Sequence, residues 1–243
     1  MKVIRLSFLG MLAYLRRDMM LFAACLAPIL VGFLFRFVIP LFEDVLTDWF
    51  HLPTIISPYY GLIDILFAML SPAMFCFVSA MVTLEENDEK TAKYLFITPL
   101  TKLGYFVSRF GIPSIFALLV TVVLLPVFKL SPLSFSYIVL LAAGGTLQGI
   151  VIALLILTLS SNKLEGMAVT KLSTLIMFGA AIPFFIKDNA QYVLFPLPSF
   201  WIGKAVFESS PLYMFLAVLL LSLWILFLMK NFCKKNSPAN KCQ

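Results

Sequence analysis

The sequence predicts an all-α integral membrane protein with six transmembrane helices, and three observations carry that reading. Hydrophobic residues make up 62% of the 243 and charged residues only 12%, and the mean hydropathy is +1.02. A soluble domain is nearer half apolar and a quarter charged, so lipid is the natural solvent for this chain. Six apolar runs reach the roughly 20 residues needed to cross a bilayer, and the Lys and Arg between them collect on one side. Residues 1–243 read as one transmembrane domain, with an N-terminal interfacial helix (1–18) and a re-entrant outer hairpin (192–207) before the last span.

Met1–Asp18 lacks a small-residue cleavage site, and its charges recur at Arg16 and Arg17, which is unlike a cleavable signal. Ile4, Phe8, Met11 and Leu15 form one stripe on a helical wheel, with Lys2, Arg5 and Arg16 elsewhere, as in a helix lying in the inner interface. The first span is expected over Met19–Phe42. A polar stretch with Glu43, Asp44, Asp48 and His51 leads to the second, Tyr59–Leu84. The third is Leu103–Phe128, followed by a turn at Lys129–Ser134. The fourth is Phe135–Leu159, the fifth Gly166–Ile186 and the sixth Leu212–Met229. Tyr192–Phe207 is apolar but too short to span and is broken by Pro196 and Pro198, so a re-entrant or interfacial hairpin is expected.

With the N-terminus inside, fourteen of the eighteen Lys and Arg lie on the inner side, and only Arg36, Lys129, Lys187 and Lys204 on the outer. That bias places both termini in the cytoplasm. It also accounts for the net charge of +6 without nucleic acid. Cys25 and Cys76 lie in apolar runs as small hydrophobes, and Cys233 and Cys242 lack the company of a zinc site.

No enzyme is expected. His51, the one histidine, lies in an outer loop, and no GxSxG, HExxH or GxxxxGK[ST] occurs. Glu85–Glu86 resembles the double glutamate of prenyl-endopeptidase-type membrane proteases, but that family also needs embedded histidines. Without a phosphate loop, any ATP-driven work requires an ATPase on a separate chain.

The most charged stretch is Leu84–Leu100. Glu85, Glu86, Asp88 and Glu89 suit the start of a short helix, since carboxylates favour its positive end. Pro99 closes it, because the residue before a proline is pushed out of the helical region. Its segment DEKTAKYLFITPL is similar to the signature of ABC-2-type permeases, the membrane halves of ABC exporters. Those carry a charged cluster, then a Thr, then a Thr-Pro seven and eight residues on. Thr91, Thr98 and Pro99 have that spacing, and Glu86 and Asp88 fall at the acidic positions. Lys90 stands where the family often has Gly. Arg36 with Pro40, Tyr59-Tyr60, Ser71-Pro72 and Asn162–Gly166 look most like permeases grouped with fluoroquinolone export systems.

The resemblance implies a permease subunit in a bacterial plasma membrane. Two cytoplasmic ABC ATPase subunits would carry the Mg-ATP, with no cofactor on this chain, and a second permease chain would complete a homo- or heterodimer. The segment 85–100 would couple to the ATPase through Glu85, Glu86, Asp88, Glu89, Thr91, Thr98 and Pro99. The bland alternative is a solvated acidic face. The cargo would be an amphipathic drug, an antimicrobial peptide or a lipid-like compound, moved outward. The competing readings are an ion-gradient-driven secondary transporter, for which only Asp64 suits a proton carrier, and a non-transporting anchor or sensor.

Two charges lie inside spans, Arg36 and Asp64, at similar expected depth near the outer boundary. They either pair, contribute to an outer gate, or snorkel separately to headgroups. The aromatics, among them Phe33, Phe35, Phe37, Phe67, Phe75 and Phe77, line a pathway or face lipid and neighbouring helices. Gly145 and Gly149, at GxxxG spacing, serve either dimerisation or packing within the chain.

Overall fold

A carboxylate at Asp18 separates the first two helices. Its side chain accepts hydrogen bonds from the backbone N–H groups of Met20 (3.0 Å) and Leu21 (3.3 Å), which otherwise have no partner in the first helical turn. The computed structural model describes residues 2–89, 107–186 and 188–235. Before Asp18 lies α1 (Lys2–Arg17) and after it α2 (Met19–Phe33). On α1, Met11 is buried, with Phe8 and Leu15 packed against the same core.

The first span runs further than Phe42. After a π-helical turn at Leu34–Val38 the chain continues as α3 (Ile39–Phe50), where His51 takes a left-handed conformation at φ 53° and ends the helix. Glu43 then closes the loop, accepting the N–H groups of Ile55 (3.0 Å) and Ile56 (2.8 Å) on its two oxygens. The polar stretch is therefore helical, with its carboxylate satisfied by backbone amides instead of by water.

Next come α4 (Tyr60–Asp88), a π-helical turn at Val107–Gly111 leading into α5 (Ile112–Phe128), and α6 (Phe135–Leu159) at the bounds expected for the fourth span. The fifth span is broken into α7 (Lys163–Thr174), a 3-10 stretch at Leu175–Ala181 and the short α8 (Ile182–Phe185). A 3-10 turn at Asn189–Leu194, then α9 (Pro198–Phe207) and α10 (Pro211–Lys235), complete the described chain. Six helical segments among the described residues are long and apolar enough to cross a membrane.

Burial ranks them. The most apolar windows of the α4 and α6 spans are 78% and 67% buried, against 11% for the first span. The two central helices touch through glycines. A Cβ on Gly145 would collide with the carbonyl oxygen of Ala68, and one on Gly149 would come within 3.2 Å of the Ala73 backbone. These glycines thus serve packing within the chain, with backbones meeting as small residues permit in membrane helices. Among the aromatics, Phe67 is buried in the core beside Phe35 and Phe128, whereas Phe33 and Phe37 stack on each other on the exposed face of the first span.

Candidate functional site

The acidic run expected to open a helix instead closes one. Leu84–Asp88 is the last turn of α4, and Glu89 caps it with its N–H bonded to the Glu85 carbonyl at 2.9 Å. Carboxylates at a helix C-terminus face the negative end of the dipole, so cations must come from elsewhere in the chain. Lys163 supplies the first: its Nζ lies 2.6 Å from Asp18 Oδ2 and 2.7 Å from Glu85 Oε2. The Lys163 backbone N–H donates to Asp88 Oδ2 at 3.1 Å. One residue thereby ties the α1–α2 junction, the end of α4 and the start of α7 together.

Lys163 is held there by the N-cap of α7 and a hydrogen bond that reaches back past it. Asn162 accepts the N–H of Glu165 at 2.9 Å, and Glu165 accepts the N–H of Ser161 at 2.7 Å. The NKLEG segment is thus the rigid start of α7. The Lys163 ammonium, hydrogen-bonded to Asp18, holds that carboxyl below its ordinary value of 3.8, with burial acting in the opposite sense.

Arg109 is the second cation. Its Nε donates to Glu86 Oε2 at 3.1 Å and its Nη2 pairs with Glu86 Oε1, with Arg109 3% and Glu86 17% exposed. This two-pronged pair joins α4 to the π-helical turn before α5, and Ser79 donates its hydroxyl to the Arg109 carbonyl. Further along, Ser71 and Thr121 hydroxyls meet at 3.0 Å, with Cys76 and Ser114 between them and Ser79. A polar seam thus follows the α4–α5 contact from the Glu86 end toward Asp64.

At the other end, Asp64 accepts the N–H groups of Leu130 and Ser131, both at 2.8 Å, and the Ser131 hydroxyl. Arg36 donates to the Lys129 carbonyl at 3.2 Å. No ion pair joins Arg36 to Asp64 among the described residues; both hold the Lys129–Ser131 turn instead. Of the residues expected to couple, Glu85, Glu86 and Asp88 are thus bound to Lys163 and Arg109, while Glu89 is exposed. Thr91, Thr98 and Pro99 lie outside the described residues. Lys163, Arg109 and Asp18 were not singled out from sequence, although each stands at a span end.

The segment around Pro196 and Pro198 is a helical hairpin whose tip is capped by two indoles. Trp201 Nε1 donates to the Phe195 carbonyl at 3.0 Å and Trp224 Nε1 to the Pro196 carbonyl at 3.3 Å. Trp224 stands thirteen residues into α10, or roughly 20 Å along its axis, so the Pro196 end lies that far from the start of the last helix. Lys204, buried on α9, donates to the Tyr192 hydroxyl, sits 4.1 Å over the Tyr192 ring and 5.0 Å over that of Tyr213, and lies 3.5 Å from Glu208.

Comparison with known proteins agrees with this architecture. A family model described as "Fluoroquinolones export permease protein Rv2686c-like" matches residues 11–230. Two curated Mycobacterium tuberculosis proteins are similar, each 25% identical over 197 residues, covering 80% of this chain and 77% of the relative. They are fluoroquinolones export permease protein MT2760 of strain CDC 1551 / Oshkosh and fluoroquinolones export permease protein Rv2686c of strain ATCC 25618 / H37Rv. No solved structure matches the chain. Six spanning helices around a glycine-packed core, together with a match over 11–230, lead to one conclusion: the chain belongs to the Rv2686c-like family of fluoroquinolones export permease proteins.

Proposed function

We propose that the chain is the membrane half of an ATP-driven exporter of the ABC-2 type, which moves amphipathic drugs of the fluoroquinolone class outward. The observation that carries the proposal is the charged cluster at the ends of α4 and α7. Glu89, Thr91, Thr98 and Pro99 belong to the segment that meets a cytoplasmic ATPase. Glu85, Glu86 and Asp88 pass the resulting load on to Lys163 and Arg109. The α4–α5 seam makes those two helices a single lever, because interhelical hydrogen bonds inside a membrane each add on the order of 1 kcal/mol. Its far end is the Lys129–Ser131 turn, which Asp64 and Arg36 grip.

In this reading the Lys163 end is cytoplasmic, as are both termini of the chain, and α1 packs beside the cluster at the inner interface. The hairpin at 192–207 enters from the outer side. Irregular backbone at that depth is tolerated only when enclosed by protein and hydrogen-bonded, and the two indoles meet that condition. Two such chains and two ATPase subunits form the transporter, in a bacterial plasma membrane. Asp64, the carboxylate suited to carry a proton, accepts two backbone N–H groups and a hydroxyl, which favours ATP over an ion gradient as the energy source.

Inverted vesicles holding the chain and a candidate ABC ATPase test the proposal. Norfloxacin uptake is expected to need ATP and to survive collapse of the proton gradient. Uptake that stops with the gradient and ignores ATP would point to the secondary-transport reading.

A further inference from the structure

Gln148 is 0% exposed, and both polar atoms of its side chain, Oε1 and Nε2, have no hydrogen-bond partner among the described residues. The two threonines of α6 behave differently: Thr146 donates to the Ala142 carbonyl at 2.7 Å and Thr158 to that of Leu154 at 2.8 Å. Buried polar groups are partnered in the large majority of cases, and an orphaned amide costs stability that an apolar residue would not. Nor does lipid offer a substitute partner. A side chain kept at such a cost calls for a use outside the resting conformation.

The helical register says where it points. A Cβ on Gly144 would meet Met214 of α10 and Ile202 of α9, whereas Gly145 and Gly149 face Ala68 and Ala73 of α4. At 3.6 residues per turn, Gln148 falls between those two faces, toward the junction of α4, α6 and α10. Tyr137 bonds to the Ser209 carbonyl and Gly144 abuts Met214, so α6 and α10 run in the same direction. Three residues beyond Met214, about level with Gln148, stands the fully buried Ala217. The amide is thus closed in where α10, with the hairpin helix α9 packed against it, rests on the α4–α6 pair.

We propose that Gln148 is the polar specificity contact of the transport path, exposed when α10 and the hairpin move off α4 and α6. Its amide NH2 offers two N–H donors beside a carbonyl acceptor. The complementary ligand edge is planar and carries adjacent acceptor oxygens for those donors, as does a carboxylate beside a ring ketone. The inference rests on the export reading and adds to it the part of the cargo that is read, with the lipophilic remainder lying against the apolar helix faces.

The test uses the purified full chain in lipid nanodiscs with two probes, ciprofloxacin and its decarboxylated analogue, their binding followed by quinolone fluorescence. Wild type is expected to prefer the acid by about tenfold, the loss typical of one well-placed hydrogen-bonding contact. Gln148→Met, of similar length and unbranched, is expected to bind both probes equally and to melt a few degrees higher, on the order of 4 °C. Gln148→Leu serves as a second apolar replacement with the same expected outcome. A preserved tenfold preference in both variants overturns the inference, as does a wild type without preference or a Tm that falls in both variants. ATP-dependent norfloxacin uptake by the wild type alongside any of those results would leave the export reading standing. Absence of both binding and uptake would remove the two together.

Discussion

Lys163 and Arg109 do the work that the acidic residues around them do not do alone. Each neutralises a carboxylate at the unfavourable end of the α4 dipole, and each links segments far apart in sequence. Because Arg109 is almost fully buried, its pair with Glu86 has two separable consequences. Removing one partner strands a charge, so Arg109→Met is expected to lower stability by about 3 kcal/mol. The double variant with Glu86→Gln is expected to recover most of that loss in detergent melts, and equal losses in single and double variants would sink the pairing. Asp18 gives a second expectation. Its folded pKa lies below the ordinary 3.8, chiefly through the Lys163 hydrogen bond, so its contribution to stability is complete above that value and is lost as pH falls below it. The Tm of wild type is expected to drop on acidification through that window more steeply than that of Asp18→Asn. Identical pH profiles for the two would contradict this. None of these partnerships was legible in the sequence, because a carboxylate cluster beside Asn87 reads equally well as a helix start or as the last turn of a long helix. The deciding cations stand 23 and 78 residues away from their carboxylates.

At the level of helices, α4 and α6 set the frame, and their glycine contact is the most sensitive place to disturb it. Gly145→Leu is expected to push α4 off α6 and yield little folded protein. Gly149→Ala, 3.2 Å from the Ala73 backbone, is expected to fold with a loss of about 1–3 kcal/mol from overpacking. Size-exclusion profiles and thermal melts separate the two cases. The hairpin offers a gentler probe. Trp224→Phe keeps the ring and removes the N–H that reaches Pro196, at an expected cost of about 1 kcal/mol, with faster proteolysis at the hairpin tip. Unchanged proteolysis would mean that the indole does not hold the tip. Apolar run lengths alone were enough to bound α6, since Ser134 and Ser160 flank a stretch with no charged residue and no proline. They missed the break in the fifth span, because a 3-10 segment and an α-helix of equal apolarity differ in hydrogen bonding and not in composition. They also stopped the first span short. Glu43 and Asp44 look like its end until the folded chain returns Ile55 and Ile56 to meet a carboxylate.

For the whole molecule, the proposed export mechanism joins two ends of the membrane domain. In it the cluster around Lys163 and Arg109 takes load, the α4–α5 seam carries it, and the Lys129–Ser131 turn delivers it across the membrane. The Thr-Pro signature that suggested coupling was readable from sequence because its spacing is local. The lever was not, because Ser71, Thr121, Ser79 and Arg109 acquire meaning only when α4 and α5 lie side by side. Everything depends on the segment after Glu89 meeting an ATPase in the cytoplasm. The most direct measurement places a single thiol there, Glu89→Cys, in a chain whose four native cysteines are replaced by alanine. A membrane-impermeant maleimide is then applied to intact cells and to inverted vesicles, with and without the ATPase subunits. The account requires labelling only in the inverted vesicles, and protection there once the ATPase is bound. Labelling on intact cells, or labelling that the ATPase leaves unchanged, would contradict it.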